Sequence, residues 1–315
     1  MLKKVKGKIR EKVRRLIAAQ LDDMLGPALD RQLQLNRQWE AYQAAPAERR
    51  ASFIESQTRI SDLLRRLEEC RIPVRREQID GGAFARWRCE FWQVDKSYHR
   101  TDDVGVEKAL EHYVAMTWLP IRPGEVVIDM AANVSPFAGL LARRNRNESY
   151  MLDLSYPPGI HGDRIGADVR RTGLPDAFAD VLTFQCAFEC LQGDADARFA
   201  AEARRILKPG GRWGIVPLYL DHSHFVKLGP RYDQRKLELD PGEPWVWRDD
   251  ANLQAAFSRH YSPESFCKRI VAAARGFRVE IVHFSNIDEL QAAYPGQRLY
   301  CHFLFRAQKE SRPGS

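Results

Sequence analysis

The sequence predicts an α/β fold whose mostly parallel sheet is preceded by an α-helical extension, and three observations predict it. The first is the segment from Glu125 to Asp153. It holds the apolar run Val126-Val127-Ile128, the small-residue turn Ala131-Ala132-Asn133-Val134-Ser135, a helical stretch from Pro136 to Arg144 and a second apolar run, Tyr150-Met151-Leu152. Strand, turn, helix, strand is a βαβ unit. The second is a pair of β-rich runs near the C-terminus, Phe277 to Phe284 and Arg298 to Phe305, joined by a polar loop, as expected of antiparallel strands that close a sheet. The third is the stretch 1–80, rich in Leu, Gln, Arg, Glu and Ala and interrupted near Gly26-Pro27, Ala45-Pro46 and Pro73, which reads as helices.

The N-terminal helices carry the charge asymmetry of the chain. Of a formal net charge of +7 over 315 residues, residues 1–15 alone supply +7, from Lys3, Lys4, Lys6, Lys8, Arg10, Lys12, Arg14 and Arg15 against Glu11. Leu2, Val5, Ile9, Val13, Leu16, Ile17, Leu21 and Leu25 recur at steps of three and four, so residues 1–25 form a basic amphipathic helix. Such a helix suits an anionic membrane surface, packing on a second subunit, or, as the weakest of the three, nucleic acid. Stretches 27–43 and 46–71 follow as a helical hairpin or oligomerisation arm, without the sustained heptads of a coiled coil. An aromatic-rich connector, with Trp87, Phe91, Trp92, Tyr98 and His99, fills 81–120 and leads into a core domain at 121–309, with an insertion at 221–260 and a tail at 310–315.

Composition narrows the class. At 44% hydrophobic residues the chain can bury one large core and a smaller accessory region. Cys70, Cys89, Cys186, Cys190, Cys267 and Cys301 show no C-x-x-C pair, and histidines show no zinc spacing, so the sequence predicts reduced thiols, no metal and a cytoplasmic setting, at most peripheral to the inner membrane face. No run of about 18 apolar residues is present to span a bilayer.

Both apolar runs of the βαβ unit end in an acid, Asp129 and Asp153. An acid ending the second strand can accept hydrogen bonds from ribose hydroxyls. The turn decides which nucleotide sits there. No glycine occurs between Gly124 and Gly139, which leaves out the G-x-G-x-x-G turn of NAD and FAD sites, and no phosphate-cradling G-x-x-x-x-G-K-[ST] loop is present. S-adenosylmethionine has a ribose and an adenine but no phosphate, and asks only for a small-residue turn.

The downstream residues continue the pattern. Ile165-Gly166-Ala167-Asp168 places an acid after a short strand, Leu174-Pro175 leads to Ala179-Asp180-Val181-Leu182-Thr183-Phe184, and a helix from about Asp194 to Leu207 leads through Lys208-Pro209-Gly210-Gly211 into Gly214-Ile215-Val216. With the L-K-P-G-G turn and the acid, Leu-Pro and Ala-Asp-Val-Leu run, the chain resembles the class I S-adenosylmethionine-dependent methyltransferases of the methyltransferase-11 type over roughly Glu107 to Lys309. The resemblance implies a Rossmann-like sheet with an antiparallel C-terminal strand, and S-adenosylmethionine as cofactor. It places Asp129, Ala131, Asn133 and Ser135 around the methionine part, Asp153 at the ribose, Asp168 at the adenine amine, and Cys186 and Phe188 along the pocket. The family's usual D-x-G-x-G is replaced by Asp129-Met130-Ala131-Ala132-Asn133, where alanine adds a methyl at a position that favours positive φ.

Methyl transfer is an in-line displacement that needs positioning and, for an oxygen nucleophile, a general base. His161, His222 and Glu189 are the candidate bases, with Asp163 beside the first. The D/N-P-P-aromatic motif of amino-methylating nucleic-acid enzymes and the Pro-Cys nucleophile of pyrimidine enzymes are missing, since Gln185-Cys186-Ala187-Phe188 stands in their place. Nucleic acid is therefore an unlikely acceptor. The insertion, with Phe225, Tyr232, Trp245 and Trp247, suits a small-molecule or glycan hydroxyl, as in cell-surface polysaccharide synthesis. Two alternatives stand beside this reading: a non-catalytic scaffold on the same fold, and an RNA-binding methyltransferase steered by the basic arm.

Overall fold

The computed structural model describes residues 60–92, 104–133, 135–229, 239–247 and 256–310. The expectations for the basic helix at 1–25, for the arm before Ile60, for Tyr98, His99 and Tyr232 and for the tail from 311 lie outside the described residues. In chain order the helices are α1 (Ile60–Glu69), α2 (Gly81–Trp87), α3 (Gly105–Trp118), α4 (Phe137–Asn145), α5 (Ala195–Ile206), α6 (Pro263–Phe266) and α7 (Ile287–Ala293). The strands are β1 (Val74–Glu77), β2 (Val126–Met130), β3 (Glu148–His161), β4 (Arg164–Gly166), β5 (Ala179–Gln185), β6 (Leu207–Val216), β7 (Phe225–Leu228), β8 (Trp245–Trp247), β9 (Phe257–His260), β10 (Phe277–Phe284) and β11 (Phe303–Lys309).

Eight strands form one sheet in the order β4-β3-β2-β5-β6-β11-β10-β1. Only β11 runs against its neighbours, β6 and β10, so the sheet is Rossmann-like and mostly parallel, with an antiparallel C-terminal strand. Strand order reverses at β2: the chain first builds outward through β3 and β4, then on the other side through β5 and β6. The crevice beyond the carboxyl ends of the strands at such a reversal is where open α/β sheets bind ligands.

The central strands are covered on both faces, and their alternation sorts the two layers. Ile128, Met130, Leu182 and Phe184 join Phe199, Trp213 and Phe305 in one core. Val127 and Val181 face the other way, toward Leu110, Val114, Phe137 and Leu141 of α3 and α4. On that second face Asp129 and Thr183 are also buried, so the layer under α3 carries the polar groups.

Three sequence expectations are corrected by packing. The stretch 60–80 is part of the fold rather than an outlying arm: Leu63, Leu64 and Leu67 of α1 are buried in the main core, and β1 extends the sheet beside β10, from Val74 opposite Ile281 to Glu77 opposite Phe284. Arg66 fastens α1 to Glu264 through two hydrogen bonds, 2.8 and 2.5 Å. The loop between the last two strands contains α7, because Ile287 and Leu290 fall one turn apart and are both buried. The final strand begins at Phe303, five residues later than its apolar run suggests, because Leu299 and Cys301 are buried in the core under α3.

Among its described residues the insertion forms a three-stranded sheet, β8-β7-β9, with a small core of Val226, Leu228, Trp245 and Phe257. Trp245 is buried there and presents no face to a sugar, while the Phe225 ring stacks on His260 at 5.0 Å. The fully buried Arg259 of β9 ties this sheet to the main domain. It donates to Asp196 (2.8 Å), to Glu243 (2.6 Å) and to the carbonyls of Leu191 (2.9 Å) and Gly193 (3.0 Å). Burial works against ionisation of Glu243, but His224 and Arg259 hold its carboxyl down to about 2.

Because α1 shares the main core, Leu67→Ala should cost about 2–5 kcal/mol in urea unfolding of the whole chain and leave a single transition; a variant as stable as the parent would show that α1 is an independent arm.

Candidate functional site

The turn after β2 is held in shape without glycine. Ala131 (φ 52°) and Asn133 (φ 38°) both occupy the left-handed region, at a cost of roughly 1–2 kcal/mol for a residue with a Cβ, less for asparagine. Hydrogen bonds from β3 compensate. The Ala132 N–H donates to the Leu152 carbonyl (3.0 Å), the Asn133 N–H to Asp153 Oδ2 (3.1 Å), and the Tyr156 hydroxyl to the Asn133 carbonyl. The other oxygen of Asp153 accepts the Ser155 N–H at 2.8 Å.

Beside this turn lies a cavity of about 350 Å³, whose wall includes Ala131, Asp153, Leu154, Asp168, Ala187 and Cys190. Asp168 is gripped by Arg170, whose Nε and Nη2 donate at 2.9 and 2.7 Å and whose backbone N–H donates at 2.8 Å. Partial burial acts to raise the Asp168 pKa, but Arg170 keeps its carboxyl below the usual range. Gly166, just before, has no room for a side chain: a Cβ there would stand 1.9 Å from the Pro157 carbonyl, where the chain folds back as a hairpin over the end of β4.

Next to the cavity, under α3, lies a set of buried polar groups. Asp129 Oδ2, Thr183 Oγ1, both polar atoms of the Gln185 side chain and Glu189 Oε2 have no hydrogen-bond partner in the protein. Burial pushes Asp129 up to about 7, against the pull of the Ser135 hydroxyl, and pushes Glu189 up to about 7 as well. On α3, Glu107 and Glu111 are buried, and Lys108 Nζ donates to Glu111 Oε1 at 2.7 Å. Burial, reinforced by Glu111, raises Glu107 far above the carboxylate range. Cys186 (φ 51°) lies 3.3 Å from the Tyr219 hydroxyl, and burial pushes its thiol up despite Lys108 nearby. Tyr219 stacks on Tyr300 at 6.1 Å, and Lys108 lies 5.6 Å over the Tyr300 ring.

Asp129, Ala131, Asn133, Ser135, Asp153, Asp168, Cys186 and Glu189 thus gather at the carboxyl ends of β2 to β5 and in the turns that follow. Three expected site residues do not join them. Phe188 is 1% exposed and points into the aromatic core, 5.2 Å from Phe184, while Ala187 and Cys190 on either side reach the cavity. His161 is exposed on the β3–β4 hairpin, its Nε2 3.0 Å from the Pro158 carbonyl. His222 sits against α1, 3.1 Å from Arg66 and 3.3 Å from Asp62.

Sequence reasoning missed Glu107, Lys108, Glu111, Tyr219 and Tyr300. Charged residues three and four apart on a helix read as a solvated face; only the polar run of α3 facing strands that also carry Asp129 and Gln185 distinguishes them.

The unpartnered atoms fit the cofactor chemistry. S-adenosylmethionine carries an ammonium, a carboxylate and a sulfonium at one end, and Asp129 and the Gln185 amide offer an acceptor and both kinds of amide atom there. The carboxylates of Asp153 and Asp168, on the cavity wall, suit the donors of ribose and adenine.

A cation bound at Asp129 favours its carboxylate, so binding should release a proton wherever the free group is protonated, that is below about pH 7. Calorimetry at pH 6 in buffers of different ionisation enthalpy should show release approaching one proton, with affinity for S-adenosylmethionine falling up to about tenfold per pH unit below 7. Asp129→Asn should lose this dependence. Equal wild-type affinity at pH 6 and 8 would refute the assignment. By the same sign, Asp129 lowers the stability of the ligand-free protein as pH rises from the usual carboxylate range through about 7.

The profile of a family described as "Methyltransferase domain" matches residues 127–215, from β2 to the end of β6. A ubiquinone/menaquinone biosynthesis C-methyltransferase UbiE of a Caulobacter species is 32% identical over 224 residues, 62% of this chain and 86% of the relative. The protein of that description from Caulobacter vibrioides is 30% identical over 226 residues, with the same coverage. Among solved structures, the 1,6-didemethyltoxoflavin-N1-methyltransferase of Burkholderia thailandensis, with bound S-adenosylhomocysteine, aligns at a TM-score of 0.41 and 17% identity, over 73% of this chain and 88% of that one. With the expected strand order, a small-residue turn answered by an acid on the next strand, and relatives matched over most of their length, the chain belongs to the class I S-adenosylmethionine-dependent methyltransferases.

Proposed function

We propose that this methyltransferase acts on a hydroxylated ring of the quinol type, transferring the methyl group to a ring carbon that an adjacent deprotonated hydroxyl makes nucleophilic. One observation carries the reading: a buried carboxyl poised near neutrality, Glu189, interacts with Cys186 and Lys108, close to the stacked rings of Tyr219 and Tyr300. A general base works best with a pKa near the operating pH, and flat aromatic walls suit a flat acceptor. The relatives named as C-methyltransferases of ubiquinone and menaquinone biosynthesis support carbon as the nucleophile.

In this reading Asp153 holds the ribose hydroxyls, Asp168 the adenine amine, and the turn of Ala131, Asn133 and Ser135 with Asp129 the methionine end. Bound there, S-adenosylmethionine supplies an electrophilic methyl, and its sulfur keeps the electron pair of the broken bond. Glu189 takes the hydroxyl proton of the acceptor, whose ring carbon forms the new bond; the ring proton at that carbon then leaves to solvent, and the aromatic oxyanion so formed recovers its hydroxyl proton from Glu189. The buried layer under α3 excludes water that would quench the charge on the acceptor oxygen.

The expectation of a glycan hydroxyl loses one of its supports with Trp245 turned into the core of the insertion. Enzyme relatives matched over 86% of their length leave no support for the scaffold alternative, and nothing among the described residues favours the RNA alternative. No helix of the described residues is long and apolar enough to cross a membrane. The basic, amphipathic residues 1–25 support delivery of an apolar acceptor at an anionic membrane surface.

Incubation with S-adenosylmethionine and either 1,4-naphthalenediol or methyl glucoside, followed by mass spectrometry and NMR of the product, tests this reading. Carbon methylation of the diol is expected. Methylation of the glucoside oxygen alone would replace the quinol reading with the glycan one. Glu189→Gln should lower kcat by about 10²–10⁴-fold with cofactor affinity retained, and wild-type kcat/KM should fall with pH below about 7.

A further inference from the structure

Three buried carboxyls, those of Glu107, Glu111 and Glu189, surround one ammonium, that of Lys108. Such a cluster would repel any anionic oxygen unless its charge were largely cancelled. Burial does that for Glu107, and in part for Glu189, whose carboxyl at about 7 is divided near neutral pH between the neutral form and the carboxylate that can take a proton; Lys108 and Glu111 form the ionic pair. Although burial works to lower the Lys108 pKa, its charged neighbours, Glu111 among them, favour the ammonium.

The pair is unevenly used. An ammonium has three protons, and Glu111 Oε1 takes one of them at 2.7 Å. The remaining side of Lys108 faces the Tyr300 ring and Cys186, and Cys186 heads the turn whose next residues, Ala187 and Cys190, line the cofactor cavity. Lys108 therefore lies against the Tyr300 ring and Cys186, within electrostatic reach of Glu189, whose Oε2 has no hydrogen-bond partner in the protein.

We propose that Lys108 anchors the acceptor oxygen: its ammonium pairs with the oxyanion formed when the acceptor hydroxyl gives its proton to Glu189. This rests on the hydroxylated-ring reading above. The O–H bond breaks, the proton moves to the Glu189 carboxylate, the electron pair stays on oxygen, and the net charge of the pocket is unchanged. The anchor fixes the ring edge presented to the methyl group, the one beside the anchored oxygen. Lys108 thereby sets regiochemistry as well as rate.

The probe is 4-nitrophenol, whose coloured phenolate reports its own ionisation. It is titrated over pH with full-length protein saturated in S-adenosylhomocysteine. A cation beside the phenol should favour the bound phenolate about tenfold, a downward shift of about one pH unit in its titration. Lys108→Met should abolish the shift and Lys108→Arg should retain most of it, whereas a lysine that only neutralises Glu111 would leave the titration of a bound phenol unmoved. Because removal of Lys108 strands a buried carboxylate, Lys108→Met with Glu111→Gln serves as the folded control, checked by circular dichroism and by binding of S-adenosylhomocysteine.

No shift with the parent protein, or the same shift in Lys108→Met or the double variant, overturns the anchor. A shift lost in those variants supports it, and if 1,4-naphthalenediol is then not methylated, the acceptor reading fails while the anchor stands. Methylation of the diol at equal kcat/KM by the double variant would do the reverse.

Discussion

The site depends on one carboxylate. Asp153 ends the straight part of β3 and spends one oxygen on the Asn133 N–H and the other on the Ser155 N–H, so a single side chain fixes the turn after β2 and the start of the hairpin that follows β3. This is what permits alanine and asparagine to occupy left-handed conformations that glycine would adopt freely. A carboxylate oxygen has two acceptor positions, so each keeps one free after holding a backbone group. Asp153 can therefore brace the turn and still receive hydroxyl donors from the cavity. The residue that replaces the missing glycines is also the one a ribose would need.

A second constraint joins the insertion to the same cavity. A fully buried guanidinium is tolerated only when its donors are satisfied, and Arg259 meets that condition by reaching across domains of the fold. Its partners Leu191 and Gly193 lie in the segment that, with Gln192 and Ala195, walls the cavity, while Glu243 comes from the insertion itself. Removing one partner of such a network typically costs about 3–5 kcal/mol. Displacement of β7 to β9 is thus mechanically linked to the lip of the cavity, which gives the insertion a route to sense or shape it.

Much of this was legible in the sequence, for identifiable reasons. Strands such as Val126-Val127-Ile128 and Val181-Leu182-Thr183-Phe184 are apolar on both faces because helices cover both, and acids at their ends stand out against that background. The positions of Asp129, Asp153 and Asp168 at the carboxyl end of the sheet were therefore readable one by one. The β1 edge strand was not, since Val74-Arg75-Arg76-Glu77 has the composition of an exposed edge and joins the sheet only by pairing with β10, about 200 residues later. Nor was Glu107-Lys108 visible as part of a site: local spacing describes a helix face, and only the tertiary fold decides that this face meets β5 instead of water. Phe188 misled for the opposite reason, as its neighbours in sequence reach the cavity while its own ring follows the core.

The two faces of the sheet divide stability from chemistry. Under α1 and α5 the layer is dense with aromatic contacts, Phe184 to Phe199 at 4.8 Å, Phe199 to Trp213 at 5.2 Å and Trp213 to Phe305 at 4.9 Å. Under α3 the same strands present Asp129, Thr183 and Gln185 with atoms that have no partner. Each such atom costs roughly 1–3 kcal/mol while unmet, a burden the aromatic layer must carry. That burden is also a source of affinity, because a ligand that satisfies those atoms recovers what the empty fold forgoes. A ligand that met those atoms would restore the stability lost under α3, and one bearing both charge types at one end, as an amino acid moiety does, suits the polar face.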